Sequence, residues 1–317
     1  MTSGTYRNPV WDGYFADPFV LRAEGRFWAF GTGGGEESQD VVGLVSDDLV
    51  TWTPHGPVID PATTPEGKPH HWAPEVLATD DGYVLYYSAG LRDQGHRIRA
   101  AVSATPGGPY RDTGLELTPD EPFAIDPHPC RDADGNLYLF YCVDRLTGPR
   151  VGTVIVVDRM LTPTRLAGDP QPVVAATGEW QLYLAGRAMY EATYDWYTCE
   201  GAFTVRRDGR YWCLYSGGNW QQQNYGVSAA SAPAMLGPWT EEPGELPSVV
   251  RSAPDAVGPG HASVVTDDDG QDWLVYHAWD PEGVARRMHI DPLDWTPAGP
   301  VCRGPSTGPR QAPALLQ

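Results

Sequence analysis

Asp17, Asp126 and Glu200 stand in three short motifs, ADPF, IDPHP and EGAF, and each lies 8 or 9 residues ahead of the glycine of an acidic-Gly turn. Glu75 in WAPEV and His261 in GH hold matching places, 7 and 9 residues ahead of two further turn glycines. Taken singly, an Asp before Pro is usually a turn residue. A shared place in a repeat reverses that reading, because it brings the groups to one space. Carboxylates crowded together raise each other's proton affinity, so one stays an acid near neutral pH while another stays a base. Such a set suits general acid–base chemistry at a single bond.

The elements that must position these groups are themselves repeated. Residues Ala16 to Gly33, Ala73 to Gly90, Asp126 to Asp144, Glu200 to Gly218 and Gly260 to Trp279 each read as a strand, an acidic-Gly turn and an aromatic-rich second strand. The turns are Glu24-Gly25, Asp81-Gly82, Asp134-Gly135, Asp208-Gly209 and Asp269-Gly270, dipeptides that suit hairpins because both positions want positive φ. A second element follows most hairpins, as in SDDLVTWTP from Ser46 and SAPAMLGPW from Ser231, and reads as a third strand, a turn and an outer edge strand. With 36 Gly and 31 Pro spread through 317 residues, short strands are favoured over long helices. The pattern predicts an all-β fold: a five-bladed β-propeller with four short antiparallel strands per blade around a central channel, as one domain over residues 1–317. A β-sandwich has no reason to repeat one motif five times.

The first strand of each blade lines the channel, so Asp17, Glu75, Asp126, Glu200 and His261 are expected to converge there, with Glu75 read as a structural or substrate hydrogen bond outside the catalytic set. Blades one and four are two apart around the ring. If neighbouring side-chain tips lie roughly 5 Å apart, Asp17 and Glu200 are about 8 Å apart, inside the range of roughly 6.5 to 9.5 Å that leaves room for a water in inverting glycosidases. Asp126, in the blade beside Glu200, raises the proton affinity of Glu200.

The motifs ADPF at Ala16, WAPEV at Trp72, IDPHP at Ile125, EGAF at Glu200 and GH at Gly260 resemble glycoside hydrolase family 43, in order and over nearly the whole chain. The resemblance implies an inverting five-bladed propeller that cleaves α-L-arabinofuranosides and β-D-xylosides, with a few enzymes acting on β-galactan. It implies Asp17 as general base, Glu200 as general acid and Asp126 as the residue that tunes and orients the acid. Related fructoside-cleaving families retain configuration and carry RDP, where this chain has IDP at Ile125. Ala202 and Ala262 depart from the family pattern, at positions where Pro and a polar residue are common. By the same resemblance His261 helps hold a water or a calcium ion in the channel, and Arg287 contacts substrate. Arg286 competes with Arg287, because strand alternation points them to opposite faces. Trp72, Phe123, Trp196 and Trp220 lie beside the motifs and are candidates for stacking on a sugar, Trp72 foremost.

Lys and Arg total 22 against 41 Asp and Glu, a formal net charge of −19, which disfavours nucleic acid and anionic membrane as partners. Hydrophobic residues at 41% exclude a disordered chain. No apolar run reaches bilayer length and Met1 to Val10 does not read as a secretion signal. Five Cys without a C-x-x-C pair read as buried thiols. A cytoplasmic enzyme is expected, with an oligosaccharide as its partner, no obligate protein partner and no organic cofactor. The expected activity is release of terminal pentosyl groups, α-L-arabinofuranosyl before β-D-xylosyl, from short plant-derived fragments. The segment Trp180 to Cys199 is expected to close one side of the channel face. An endo-acting arabinanase and a propeller that binds oligosaccharide without cleaving it are the alternatives. An acid and a base held apart argue against the second.

Overall fold

The computed structural model describes residues 4–35, 37–241 and 244–315. Apart from one 3-10 turn at Glu179–Gln181, their regular structure is all β. Three sheets have four antiparallel strands each. The first contains Ala16–Ala23, Arg26–Thr32, Val41–Ser46 and Thr53–His55; the second His70–Thr79, Gly82–Leu91, Gln94–Ser103 and Arg111–Glu116; the third Val257–Thr266, Asp272–Trp279, Arg286–Thr296 and Gly299–Cys302. A larger sheet holds the two remaining repeats. Its halves, built on Ala124–Arg131 and Ala192–Arg207, join where Gly152 and Thr153 run parallel to Tyr197 and Thr198. The leading strands of the five repeats contact one another in cyclic order, the last returning to the first.

This packing explains why the second strands are apolar on both faces. In GYVLYYSAG, Leu85 and Tyr87 enter the apolar layer shared with the first sheet, whereas Val84 and Tyr86 enter the layer shared with the following repeat. A strand sandwiched between sheets cannot alternate between oil and water. Each fully buried large side chain contributes roughly 1.5–3 kcal/mol.

Two hairpins differ from the other three in their turns. Glu24-Gly25 and Asp208-Gly209 have both φ angles positive, as two-residue turns require. At the third and fifth hairpins only Gly135 and Gly270 do; there the Asp132 and Asp267 carboxylates accept backbone N–H groups from Asn136 and Gln271 and close a longer loop. At the second hairpin Gly82 alone has positive φ and already begins the strand. The ring is closed by the ends of the described chain: Thr5–Tyr6 pairs with Arg310–Gln311, and Asn8 bonds to Ile290 and Asp291 of the last sheet.

No helix among the described residues is long and apolar enough to cross a membrane. The five Cys are unpaired, four of them buried and Cys130 half-buried.

Candidate active site

Every leading strand carries one extra residue at the same height. The register slips between Ala16 and Phe19, Trp72 and Glu75, Ile125 and His128, Glu200 and Phe203, and Gly260 and Ser263. The residue that absorbs each bulge has a left-handed backbone: Asp17 (φ 53°), Ala73 (47°), Asp126 (57°), Gly201 (59°) and His261 (49°). For a side-chain-bearing residue that conformation costs about 1–2 kcal/mol, so something must hold it. At four of the five, polar side chains from the neighbouring repeat accept the N–H of the bulge residue. The Ala73 N–H donates to Thr32 Oγ1 (2.9 Å), the His261 N–H to Ser216 Oγ (2.7 Å), the Asp17 N–H to His277 Nδ1 (3.1 Å) and the Gly201 N–H to Asp126 Oδ2 (3.1 Å).

The bulge revises the expected convergence. Asp17, Asp126 and His261 are structural equivalents, but their counterparts in the second and fourth repeats are Ala73 and Gly201. Glu200 lies one residue before the bulge and still lines the cavity at the ring's mouth, while Glu75 lies two residues beyond it and does not. Glu75 instead accepts a hydrogen bond from His128 Nδ1 (2.6 Å), whose Nε2 accepts the Thr204 N–H (2.9 Å). Glu75 is thus a structural group below the site.

The cavity has a volume of about 400 Å³ and is lined by Asp17, Asp126, Glu200, His261, Trp72, Phe123 and Trp220, among others. Trp72 stacks on His96 (3.8 Å between centroids) and donates its indole N–H to Gln39 (2.6 Å). Trp220 stacks on Trp279. Trp196, in contrast, is fully buried and belongs to the core.

Arg287, expected at the substrate, is not there. It pairs with Asp280 (2.9 Å), and the alternation of the strand Arg286–Thr296 turns Arg286 to the cavity instead. The Arg286 guanidinium lies 3.3 Å from Asp17 Oδ1, donates to the Tyr14 hydroxyl (2.8 Å) and sits over the Trp220 ring (4.5 Å).

These contacts set opposite protonation states. Burial pushes the Asp17 carboxyl up, but Arg286, His261, His277 and the Thr32 hydroxyl together outweigh it and hold Asp17 below the ordinary carboxylate range. Glu200 is pushed up to about 7, first by burial and then by the charge of Asp17, against the Tyr225 hydroxyl that lowers it. Asp126 is also raised, by burial, Glu200 and Asp17 in that order. His261 is held below its ordinary value, chiefly by burial.

The side chains around His261 by themselves offer a calcium ion few oxygens. Calcium takes about six to eight oxygen ligands. The nearest carboxylate oxygen to His261 Nδ1, Asp17 Oδ1 at 3.4 Å, already faces the Arg286 guanidinium. Among the described residues no group of three or more His, Cys, Asp or Glu side chains is arranged to hold a metal.

The segment after Trp180 forms a hairpin, Leu182–Met189 with the start of Ala192–Arg207, and gives Tyr183, Arg187 and Met189 to the cavity wall. Two contacts tie it to earlier repeats. Arg187 pairs with Asp93 of the second repeat (3.3 Å), and the Tyr190 hydroxyl donates to Asp144 of the third (2.7 Å). Arg286, Tyr225 and Arg187 lie outside the repeated motifs, and Asp144 closes the third of them. Only the alternation around Arg286 signalled one of them.

Replacing Arg286 with Ala is expected to lower kcat/KM and to move the acidic limb of the pH profile upward, since Asp17 loses the charge that holds its carboxyl down, and to cost about 3–5 kcal/mol of stability, the usual loss on breaking a buried charge pair. Arg287→Ala should stay within about twofold. Kinetics from pH 4 to 9 on both variants checks this; equal losses would restore Arg287 to the site.

Residues 6–301 match the family described as Glycosyl hydrolases family 43. A protein of Aspergillus niger named beta-D-galactofuranosidase xynD is 30% identical, over 90% of this chain and 80% of its own length. A Streptomyces avermitilis protein named extracellular exo-alpha-(1->5)-L-arabinofuranosidase is 26% identical over 87% of this chain and 56% of its own. A crystal structure described as a thermostable family-43 glycoside hydrolase has a TM-score of 0.85 at 28% identity, covering 98% of this chain and 100% of that one.

Proposed function

The chain belongs to family 43 of the glycosyl hydrolases, a glycosidase acting on a carbohydrate substrate, and from that premise we propose that it releases terminal pentosyl groups from short oligosaccharides with inversion. In this reading α-L-arabinofuranosyl is preferred and β-D-xylosyl comes next. The fold is a five-bladed propeller, with the two halves of the large sheet counted as two blades.

One observation carries the reading: two carboxyl groups on one cavity are driven to opposite protonation states, Asp17 downward and Glu200 up to about 7. Glu200 gives its proton to the glycosidic oxygen as the bond to the anomeric carbon breaks. A water attacks that carbon from the other face and loses its proton to Asp17. The products are a free sugar of opposite anomeric configuration and a neutral alcohol, which leaves Glu200 ionised and Asp17 protonated until solvent resets them, as in inverting glycosidases. Asp126 accepts the Gly201 N–H and so fixes the backbone beside the acid; its own carboxyl is raised by burial and then by Glu200, so the proton affinity of Glu200 is set by burial and Asp17 instead. Trp72, Phe123 and Trp220 supply apolar faces for the sugar, and His261 with Arg286 bounds the base.

The pinned hairpin supports action at a chain end. It crosses from the fourth repeat over the third to reach Asp93 of the second, which walls the cavity on that side.

Proton NMR of early product is expected to show the anomer opposite to the substrate; the same anomer would overturn the mechanism. A panel of nitrophenyl arabinofuranoside, xyloside and galactofuranoside, the last prompted by the Aspergillus niger relative's name, ranks the sugars. End-labelled arabino-oligosaccharides should yield monosaccharide steadily. Early di- and trisaccharides would establish internal cleavage instead, and tight binding without any product would establish a binding module.

A further inference from the structure

Two buried rings, Tyr225 outside the repeated segments and His277 in the second strand of the fifth, connect the acid to the base. The Tyr225 hydroxyl donates to Glu200 Oε1 at 2.7 Å. The Tyr225 ring lies parallel to the His277 ring, 6.0 Å between centroids at 11°. His277 Nδ1 in turn accepts the N–H of Asp17 at 3.1 Å. Tyr225 is 1% exposed and His277 0%, so neither is free to swing. The chain of contacts runs from the fourth repeat through the fifth to the first.

Gly260 shows how tightly the space is filled: a Cβ there would come within 2.0 Å of the Tyr225 ring. The glycine of the GH motif is therefore required by its neighbour's ring. Because Nδ1 of His277 accepts a hydrogen bond, its ring proton sits on Nε2. The imidazole is a neutral prop for the strained backbone of Asp17, not a proton carrier. Burial and the charge of Glu200 hold the Tyr225 phenol well above its ordinary pKa, so its hydroxyl stays a donor throughout the working range.

We propose that Tyr225 and His277 are positioning residues that act as one rigid two-ring spacer, fixing the separation of Glu200 from Asp17 and leaving Oε2 of Glu200 to carry the transferred proton. This rests on the reading of Glu200 as acid and Asp17 as base. A carboxylic acid that accepts a bond at one oxygen places its proton on the other, and the spacer thereby selects which face of the carboxyl can donate. A distance fixed through rings costs no rotamer freedom when substrate arrives.

The test separates the two ends of the spacer. Tyr225→Phe removes one hydroxyl and no ring. It should lower kcat about 10- to 100-fold on a sugar or alkyl aglycone, since a hydrogen bond to a charged group is worth roughly 1.5–3 kcal/mol. Nitrophenyl substrates should change far less, and the alkaline limb should move up by about one pH unit, because the lost donor favoured the carboxylate. His277→Leu should lower turnover on both substrate classes alike, whereas His277→Asn, which keeps an acceptor for the Asp17 N–H, should recover most of it. Gly260→Ala displaces the shared ring and should show both signatures at once. A purely structural role would lower the melting temperature while leaving the limb and the aglycone ratio unchanged, and that result in Tyr225→Phe overturns the proposal. So does a Gly260→Ala variant that shows only one signature. If Glu200→Gln itself shows no aglycone dependence, the acid assignment falls first; if it does and Tyr225→Phe does not, only the spacer falls.

Discussion

Asp17→Asn is expected to lower kcat by about 10²–10⁴-fold on every aglycone, the range typical for loss of a positioned base. The amide preserves volume and can still accept from the Thr32 hydroxyl, which now donates to Oδ2 at 2.6 Å. What it cannot do is take a proton from water. The loss should therefore be the same for nitrophenyl and sugar leaving groups, since water activation is common to both. The fold should survive with a lower melting temperature: Arg286 is only 8% exposed and would lose its carboxylate partner, though the Tyr14 hydroxyl remains. Removing one member of a buried pair typically costs about 3–5 kcal/mol. Steady-state kinetics with circular dichroism on the same preparation checks both parts. Residual activity within tenfold of the parent would remove Asp17 from the reaction.

The second large effect is expected at Glu200. Glu200→Gln should cut turnover of oligosaccharides by about 10²–10⁴-fold while nitrophenyl substrates, whose leaving group needs little protonation, fall far less. The pH profile should change in a definite sense. The protonated form of Glu200 is the active one, and its pKa is raised to about 7. The parent enzyme should lose kcat/KM as pH rises through that value. Gln does not titrate, so the alkaline limb should vanish from what activity remains. A limb that persists near pH 7 in the variant would assign it to another group.

The repeat was readable from the sequence because it is periodic: acidic-Gly turns and aromatic second strands recur whatever the loops do. The side chains at the leading-strand starts were readable for the same reason, but their heights were not. Alignment on the turn glycines treats 7 and 9 residues as equivalent, and a bulge shifts register by one residue without any composition of its own. Glu75 is expected in the channel on that count; its bond to His128 shows the shift and gives it the structural one of its two expected roles. Arg286 and Arg287 pose a related problem, since alternation says that they diverge without saying which way. Tyr225 could not be found, because a tyrosine opening a third strand looks like core. Its meaning depends on Glu200, His277 and Gly260, which only folding brings together.

The five bulges let the leading strands carry one residue more than their partners without changing which side chains face the next sheet. Deleting Ala73 would leave one residue in place of two between Trp72 and Glu75, and the pairs Trp72–Ser88 and Glu75–Tyr86 would be kept. Glu75 would stay on His128, and Val76 in the layer between the first two sheets. What would go is the local bend and twist that a bulge gives a strand. The same holds at Gly201, where a deletion would leave Glu200 opposite Ser216 and Phe203 opposite Leu214 but would remove the backbone N–H that Asp126 holds beside the acid. Deleting Gly201 should therefore leave a folded protein, read by circular dichroism, that has lost its activity: the extra residues serve the aim of the side chains and not the pairing of the sheets.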